Sequence, residues 1–361
     1  MGRREHCPAA VAAARVEPER KGITMDTTGL DDFLADHEFS GVVLVRRGKT
    51  VVYEAATGLA TQRWGVPNTM DTRFDTASIT KLFTSVAVLQ QVVAGNLDLE
   101  ASIHHYVDLQ GTRIPIEVNL LHLLTHTSGL ADDADEEAGE DYAELWIDKP
   151  NYSVMETADF LPQFAYKEPL EDPGVDCRYC NVGYILAGLA LEKVTGTSYR
   201  QYVFDEVFAK AGMTESGFYD RRDAAPRVAE GWDKNDEGKW VENIYSYPPI
   251  GSPDGGAHVT AGDLIEFIQA VRAGKLLDAA HTEEFFLPQV EHDEETSYGF
   301  GLEFDFNEDG SVRSYYKDGI NAGASGIVRH YIAEDLDIVV LSNSEEGAWD
   351  VVRELDERLG G

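Results

Sequence analysis

The sequence predicts an α/β (α+β) chain in which an antiparallel sheet, flanked by N- and C-terminal helices, carries an inserted all-helical lobe. Three observations predict it. Apolar, β-branched runs fall near both ends of the chain, helical periodicity fills the middle, and no internal repeat or low-complexity linker breaks the 361 residues into separate units.

Taken in order, Gly41 to Val45 and Thr50 to Ala55 are strand-like runs separated by Arg46-Arg47-Gly48-Lys49, a hairpin by composition and turn chemistry. Gly326 to Ile332 and Asp337 to Ser342 mirror it across a short acidic turn, and Glu345 to Leu359 reads as a charged amphipathic helix. The two ends are expected to share one sheet. Between them, Lys81 to Ala94, Leu120 to Leu124, Val182 to Val194 and Tyr199 to Ala211 carry apolar residues three and four apart. The change of period sets a sheet lobe at about 25–79 and 216–361 and a helical lobe at about 80–215, within one domain spanning 25–361. Ala131 to Glu144, dense in Asp and Glu and without EF-hand spacing, is expected to be a solvated surface loop. Residues 1–24 are basic, and their Ala9 to Ala14 stretch is too short and weakly apolar for a secretory core. They are expected to be a disordered extension ahead of Met25, and the expected location is cytoplasmic.

The composition, 43% hydrophobic, suffices for a large core, and no apolar run approaches the length of a membrane span. Asp plus Glu number 65 against 30 Lys plus Arg, a net charge of −35. A surface so acidic repels phosphate backbones and anionic membranes, which excludes nucleic acid and membrane as partners. Such self-repulsion is tolerated where salt screens it, so a salt-adapted source is expected. Cys7, Cys177 and Cys180 are an odd number without a disulfide framework, which fits a reducing compartment. Cys177 and Cys180 lack the further ligands that a zinc site needs.

The chemistry starts at Ser78-Ile79-Thr80-Lys81, at the head of a strongly periodic helix. Residues three apart share a helix face, so the Lys81 amine reaches the Ser78 hydroxyl. Burial would lower the lysine pKa enough for it to take the serine proton. Ser314 and Lys317 repeat the spacing, but in a strand, where residues three apart face opposite sides. Tyr179-Cys180-Asn181 precedes another helix and offers a phenol for proton transfer and an amide for a substrate carbonyl. By itself it also reads as a core aromatic followed by a cap. Lys317-Asp318-Gly319 enters the C-terminal strands and supplies the cation that a tyrosinate at Tyr179 would require.

Together these elements resemble the serine β-lactamases and penicillin-binding proteins, especially the class C type with its esterase and D-peptidase relatives. Leu121-His122-Leu123-Leu124-Thr125-His126-Thr127-Ser128-Gly129-Leu130, Gly255-Gly256 ahead of Thr260 and Asp263, and Tyr298-Gly299-Phe300-Gly301 add to the resemblance, which covers roughly residues 38–345. It implies a β-lactamase/transpeptidase-like fold and a serine hydrolase without cofactor or metal. Ser78 would attack a carbonyl, Lys81 and Tyr179 would share its proton, and Lys317 would poise Tyr179. Tyr179 would then activate the deacylating water. Asn181 would orient the substrate, and the Ser78 and Ile320 amides, the latter following Gly319, would form the oxyanion hole. His122 and His126 would lie in a structural loop. The substrate would be a small ester, amide, β-lactam or D-amino-acid peptide; the absence of an export signal argues against cell-wall transpeptidation. The alternative is a catalytically weak binding or scaffold protein. Oligomeric state is not legible.

Two departures from the family pattern matter. Asp318 replaces the usual Thr or Ser, and a carboxylate facing the site would repel a substrate carboxylate by about 1 to 4 kcal/mol at about 4 Å. Cys180 replaces the usual Ser, offering a weaker hydrogen-bond donor.

Overall fold

A computed structural model describes residues 25–293 and 295–359; the expected extension 1–24 lies outside the described residues. In chain order the strands that matter here are β1 Gly41–Arg47, β2 Thr50–Thr57, β3 Phe74–Asp75, β4 His258–Val259 and β5 Val290–Glu291. They continue with β6 Thr296–Tyr298, β7 Glu303–Phe306, β8 Val312–Asn321, β9 Ala324–Tyr331 and β10 Leu336–Ser342. Eight of them build one sheet in the order β2-β1-β10-β9-β8-β7-β6-β5, each neighbour antiparallel. The two ends of the chain meet in it as expected, since β1 pairs with β10 from Gly41↔Ser342 to Arg46↔Asp337.

The first hairpin is tighter than expected. Arg47 pairs with Thr50, leaving Gly48 and Lys49 as the turn, with Gly48 at φ +56°. Glycine supplies the left-handed conformation that a two-residue turn needs, so Arg46 and Arg47 stay in the strand.

Strand β1 is an unbroken apolar run because it is buried on both faces. Val42 and Leu44 join one core with Val339 and Leu341 of β10, while Val43 and Val45 join a second with Ile338 and Val340. The second core is closed by helices α1, Leu30–Asp36, and α6, Trp349–Arg358, through Leu30, Leu34, Val351 and Leu355. Helix α6 begins four residues later than its amphipathic pattern predicts. Asp233 accepts from the Ser344 hydroxyl at 3.0 Å and the Glu345 amide at 2.8 Å, and the Ala348 amide donates to Ser325 at 3.1 Å. Those bonds hold the intervening residues as a turn.

The first core lies between the sheet and the helices: α2 Thr80–Val93, α3 Leu120–Leu124, α4 Asn181–Thr195, a helical stretch over 199–211, and α5 Ala261–Arg272. The stretch 199–211 is helical as expected but opens into a π-helix at Val203–Phe208. Residues 80–215 hold helices and turns and no strand of the sheet. Phe83 of α2 sits at their centre, edge-to-face against Phe208 at 4.9 Å and Phe267 at 4.8 Å, fully buried. Phe83→Ala is expected to destabilise the protein by about 3 to 5 kcal/mol in urea unfolding, because two rings, Phe208 and Phe267, lose contacts around one cavity. A loss below about 1 kcal/mol would show that the surrounding rings collapse into the space. Among the described residues, no helix is long and apolar enough to cross a membrane.

Candidate active site

Ser78 is presented by a constrained turn. Strand β3 ends at Asp75, whose carboxylate accepts from the Ala77 amide at 2.8 Å. Ala77 is held at φ +42°, a left-handed conformation that costs a non-glycine residue about 1 to 3 kcal/mol. The chain then passes through a 3₁₀ turn, Ala77–Ile79, into α2, which puts Lys81 on the first helical turn facing Ser78.

The expected pair is formed. Lys81 Nζ lies 3.0 Å from Ser78 Oγ and also donates to Asn181 Oδ1 and the Asp254 carbonyl, both at 2.7 Å. Its side chain is fully buried. Burial pushes its pKa down to about 8, with the carboxylate of Asp254 opposing and the charge of Lys317 assisting. The neutral amine would keep both carbonyl acceptors with its two N–H groups and turn its lone pair to the Ser78 hydroxyl. Ser314 and Lys317 lie in β8, and Ser314 donates instead to Asp305 at 2.9 Å.

Tyr179 donates its hydroxyl to Ser78 Oγ at 2.7 Å. The sequence reading has Lys81 and Tyr179 share the serine proton, with Lys317 as the cation that a tyrosinate would require. Burial raises the Tyr179 pKa well above its ordinary value, and the nearby charge of Lys317 does not overcome it. Lys317 is engaged elsewhere: its Nζ sits 2.5 Å from Glu303 and 3.1 Å from Asp318. Burial works against its charge, but the neighbouring anionic groups together, Glu303 first among them, outweigh burial and raise the Lys317 pKa well above the usual lysine range. The raised pKa of Tyr179 favours its phenol form, which donates to Ser78.

Asn181 opens α4, and both ends of its amide are occupied, Oδ1 by Lys81 and Nδ2 by Glu136 at 2.8 Å. The expected substrate hook thus keeps only its second N–H free of these bonds. The acidic segment 131–144 is solvated as expected over 136–141 but not at its start. Asp132 and Asp133 are buried, and Asp132 accepts from the amides of Asn181 at 2.6 Å and Val182 at 3.0 Å, satisfying the orphan donors of α4. Glu137 accepts from the Tyr179 amide at 2.7 Å. The segment's charges therefore serve the helix start and the site wall as well as solvation.

Strand β8 completes the site. Strand β7 pairs with it only from Val312 to Tyr316, so Lys317–Asn321 have no strand on that side and lie against the Ser78 turn. A Cβ at Gly319 would stand 2.9 Å from the Ser78 amide and 3.1 Å from that of Ile79, closer than side chains pack. Asp318 lines the cleft, with its Oδ1 3.1 Å from Lys317 Nζ. Ile320 is 43% exposed and lines the cleft on both sides of Ser78. One half, of about 480 Å³, has Tyr142, Tyr247 and Ile250 in its wall. The other, of about 650 Å³, has Tyr298, His292, Lys317 and Asp318.

His126 stacks on Tyr179, with ring centroids 4.5 Å apart, and accepts from the Cys180 amide at 3.0 Å. Burial holds its pKa well below the ordinary histidine value, so it is a neutral support for the phenol. Cys180 does not enter the proton relay, since its buried sulfur points to the Leu130 carbonyl at 3.9 Å. Sequence reasoning missed Asp75, Asp132, Glu136 and Glu303. The only signal for Asp132 was its place in an acidic run, which reads as solvation. Among the described residues, no group of three or more His, Cys, Asp or Glu side chains is arranged to hold a metal ion.

Fold and cleft together are those of serine hydrolases related to β-lactamases and penicillin-binding proteins. The chain belongs to the beta-lactamase family, whose model matches residues 28–359. It is 28% identical over 327 residues to penicillin-binding protein 4* of Bacillus subtilis, covering 86% of this chain and 69% of that one. Against esterase EstB of Burkholderia gladioli it is 29% identical over 286 residues, 70% of this chain and 72% of the other. The crystal structure of a penicillin-binding protein from Bacillus halodurans superposes with a TM-score of 0.87 at 35% identity, covering 91% of this chain and 99% of that one.

Proposed function

We propose that this chain hydrolyses a small ester, amide or D-amino-acid peptide through an acyl-enzyme on Ser78. The observation that carries the reading is the Ser78 hydroxyl held between the Tyr179 phenol at 2.7 Å and an amine whose pKa is lowered to about 8. Neutral Lys81 takes the Ser78 proton as Oγ bonds to the carbonyl carbon. The Ser78 and Ile320 amides hold the oxyanion. On collapse, the bond to the leaving group breaks and Tyr179 protonates the departing atom, its proton then restored from the Lys81 ammonium. Lys81, neutral again, takes a proton from the water that cleaves the acyl-enzyme, and the serine regains its hydrogen. Relatives named as an esterase and as penicillin-binding proteins support acyl chemistry of this kind.

The test is mass spectrometry after treatment with a fluorophosphonate or an activated ester. One adduct on the Ser78 peptide is expected, and none in Ser78→Ala; a folded protein without an adduct would refute the reading. The net charge of −35 leads to a second expectation, that ester hydrolysis holds or rises as salt is added. A steady loss of activity with salt would count against a salt-adapted source.

A further inference from the structure

On the Lys317 side of Ser78 the cleft wall contains four carboxylates, Glu136, Glu137, Glu303 and Asp318, and a single lysine. They come from separate parts of the chain: the loop after Asp132, strand β7 and strand β8. Ser78 and its hydrogen-bond partners already make this cleft a site, so the carboxylates bear on which substrate enters it. Lys317, the cation that would meet a substrate carboxylate, is already in contact with Glu303 at 2.5 Å and Asp318 at 3.1 Å. Glu137 shares Arg178 with Asp135, at 3.4 Å and 2.5 Å. Among the described residues Glu136 forms no ion pair, and its Oε1 accepts from the Asn181 side-chain amide at 2.8 Å. The carboxylates in excess of cations therefore line the space beside the nucleophile and give it a negative potential.

We infer that the substrate carries a positive charge, an ammonium or guanidinium group, which lies between Glu136, Glu137 and Asp318 while its carbonyl meets Ser78. This rests on the acyl-enzyme reading above and narrows it. A carboxylate-bearing substrate would be repelled by the same groups and would find no free cation.

The test uses two matched sets of esters at one salt concentration in which the protein is folded. In one set the acyl chain ends in an ammonium, a methyl or a carboxylate group; in the other the leaving alcohol does. The ammonium ester is expected to exceed its methyl counterpart in kcat/KM by about tenfold or more in one of the sets, with the carboxylate ester the poorest. Asp318→Asn and Glu137→Gln should each shrink the ammonium-to-methyl ratio, a change that a merely structural lesion would not make. Equal kcat/KM across both sets, or preference for the carboxylate, would overturn the inference while hydrolysis that disappears in Ser78→Ala still upheld the acyl-enzyme. Absence of both hydrolysis and a Ser78 adduct would overturn the two together.

Discussion

Lys81→Ala is expected to lower kcat/KM for an activated ester by about a thousandfold or more, and to abolish the pH dependence that the wild type shows near 8. In the wild type the rate should rise as pH increases through about 8, because the amine must lose its proton before it accepts one from Ser78. The direction follows from burial: a lysine whose charged form is disfavoured becomes a base at a pH where an exposed lysine is still an ammonium. The substitution also strips the Asn181 side-chain oxygen and the Asp254 carbonyl of their shared donor, which opposes the relief of removing a buried charge. Stopped-flow or steady-state ester hydrolysis across pH, with a thermal melt to show that the variant is folded, measures both. A variant within tenfold of wild type would assign the base to another group.

Gly319→Ala should be nearly as damaging, for a purely steric reason. The added methyl would meet the Ser78 and Ile79 amides at 2.9 and 3.1 Å and run into the Thr76 carbonyl oxygen. Strand β8 and the nucleophile turn must then separate, which would disrupt the oxyanion hole proposed for the Ser78 and Ile320 amides. We expect about 2 kcal/mol of lost stability in denaturant unfolding and a loss of kcat/KM above about a hundredfold. An active variant would mean that the turn yields without moving either amide.

How far such expectations were legible in the sequence differs from group to group. Ser78 and Lys81 were legible because helix periodicity fixes which side chains share a face, and the spacing that fails in β8 succeeds at the head of α2. The terminal hairpins were legible because apolar runs bounded by turn residues have few other uses. Charge states were not. Whether Tyr179 is a phenol or a phenolate depends on its burial and on Lys317, Glu136 and Asp318, charges that distant segments of the chain bring beside it. Asp132 was unreadable for the same reason: an acidic residue in an acidic run looks solvated until the unsatisfied amides of α4 are placed over it.

The pairing of β1 with β10 sets a timetable for the nascent chain. Ser78 and Lys81 are made early, but the strand bearing Lys317, Gly319 and Ile320 is made late, and it is held in register by β9 and β10. On the acyl-enzyme reading, the nucleophile is expected to lack its oxyanion partner during synthesis, and the emerging polypeptide to be unreactive. Reactivity is then expected only once the last strands close the sheet. A chain truncated before Leu336 should leave an ester probe untouched even though every residue of the proton relay is present.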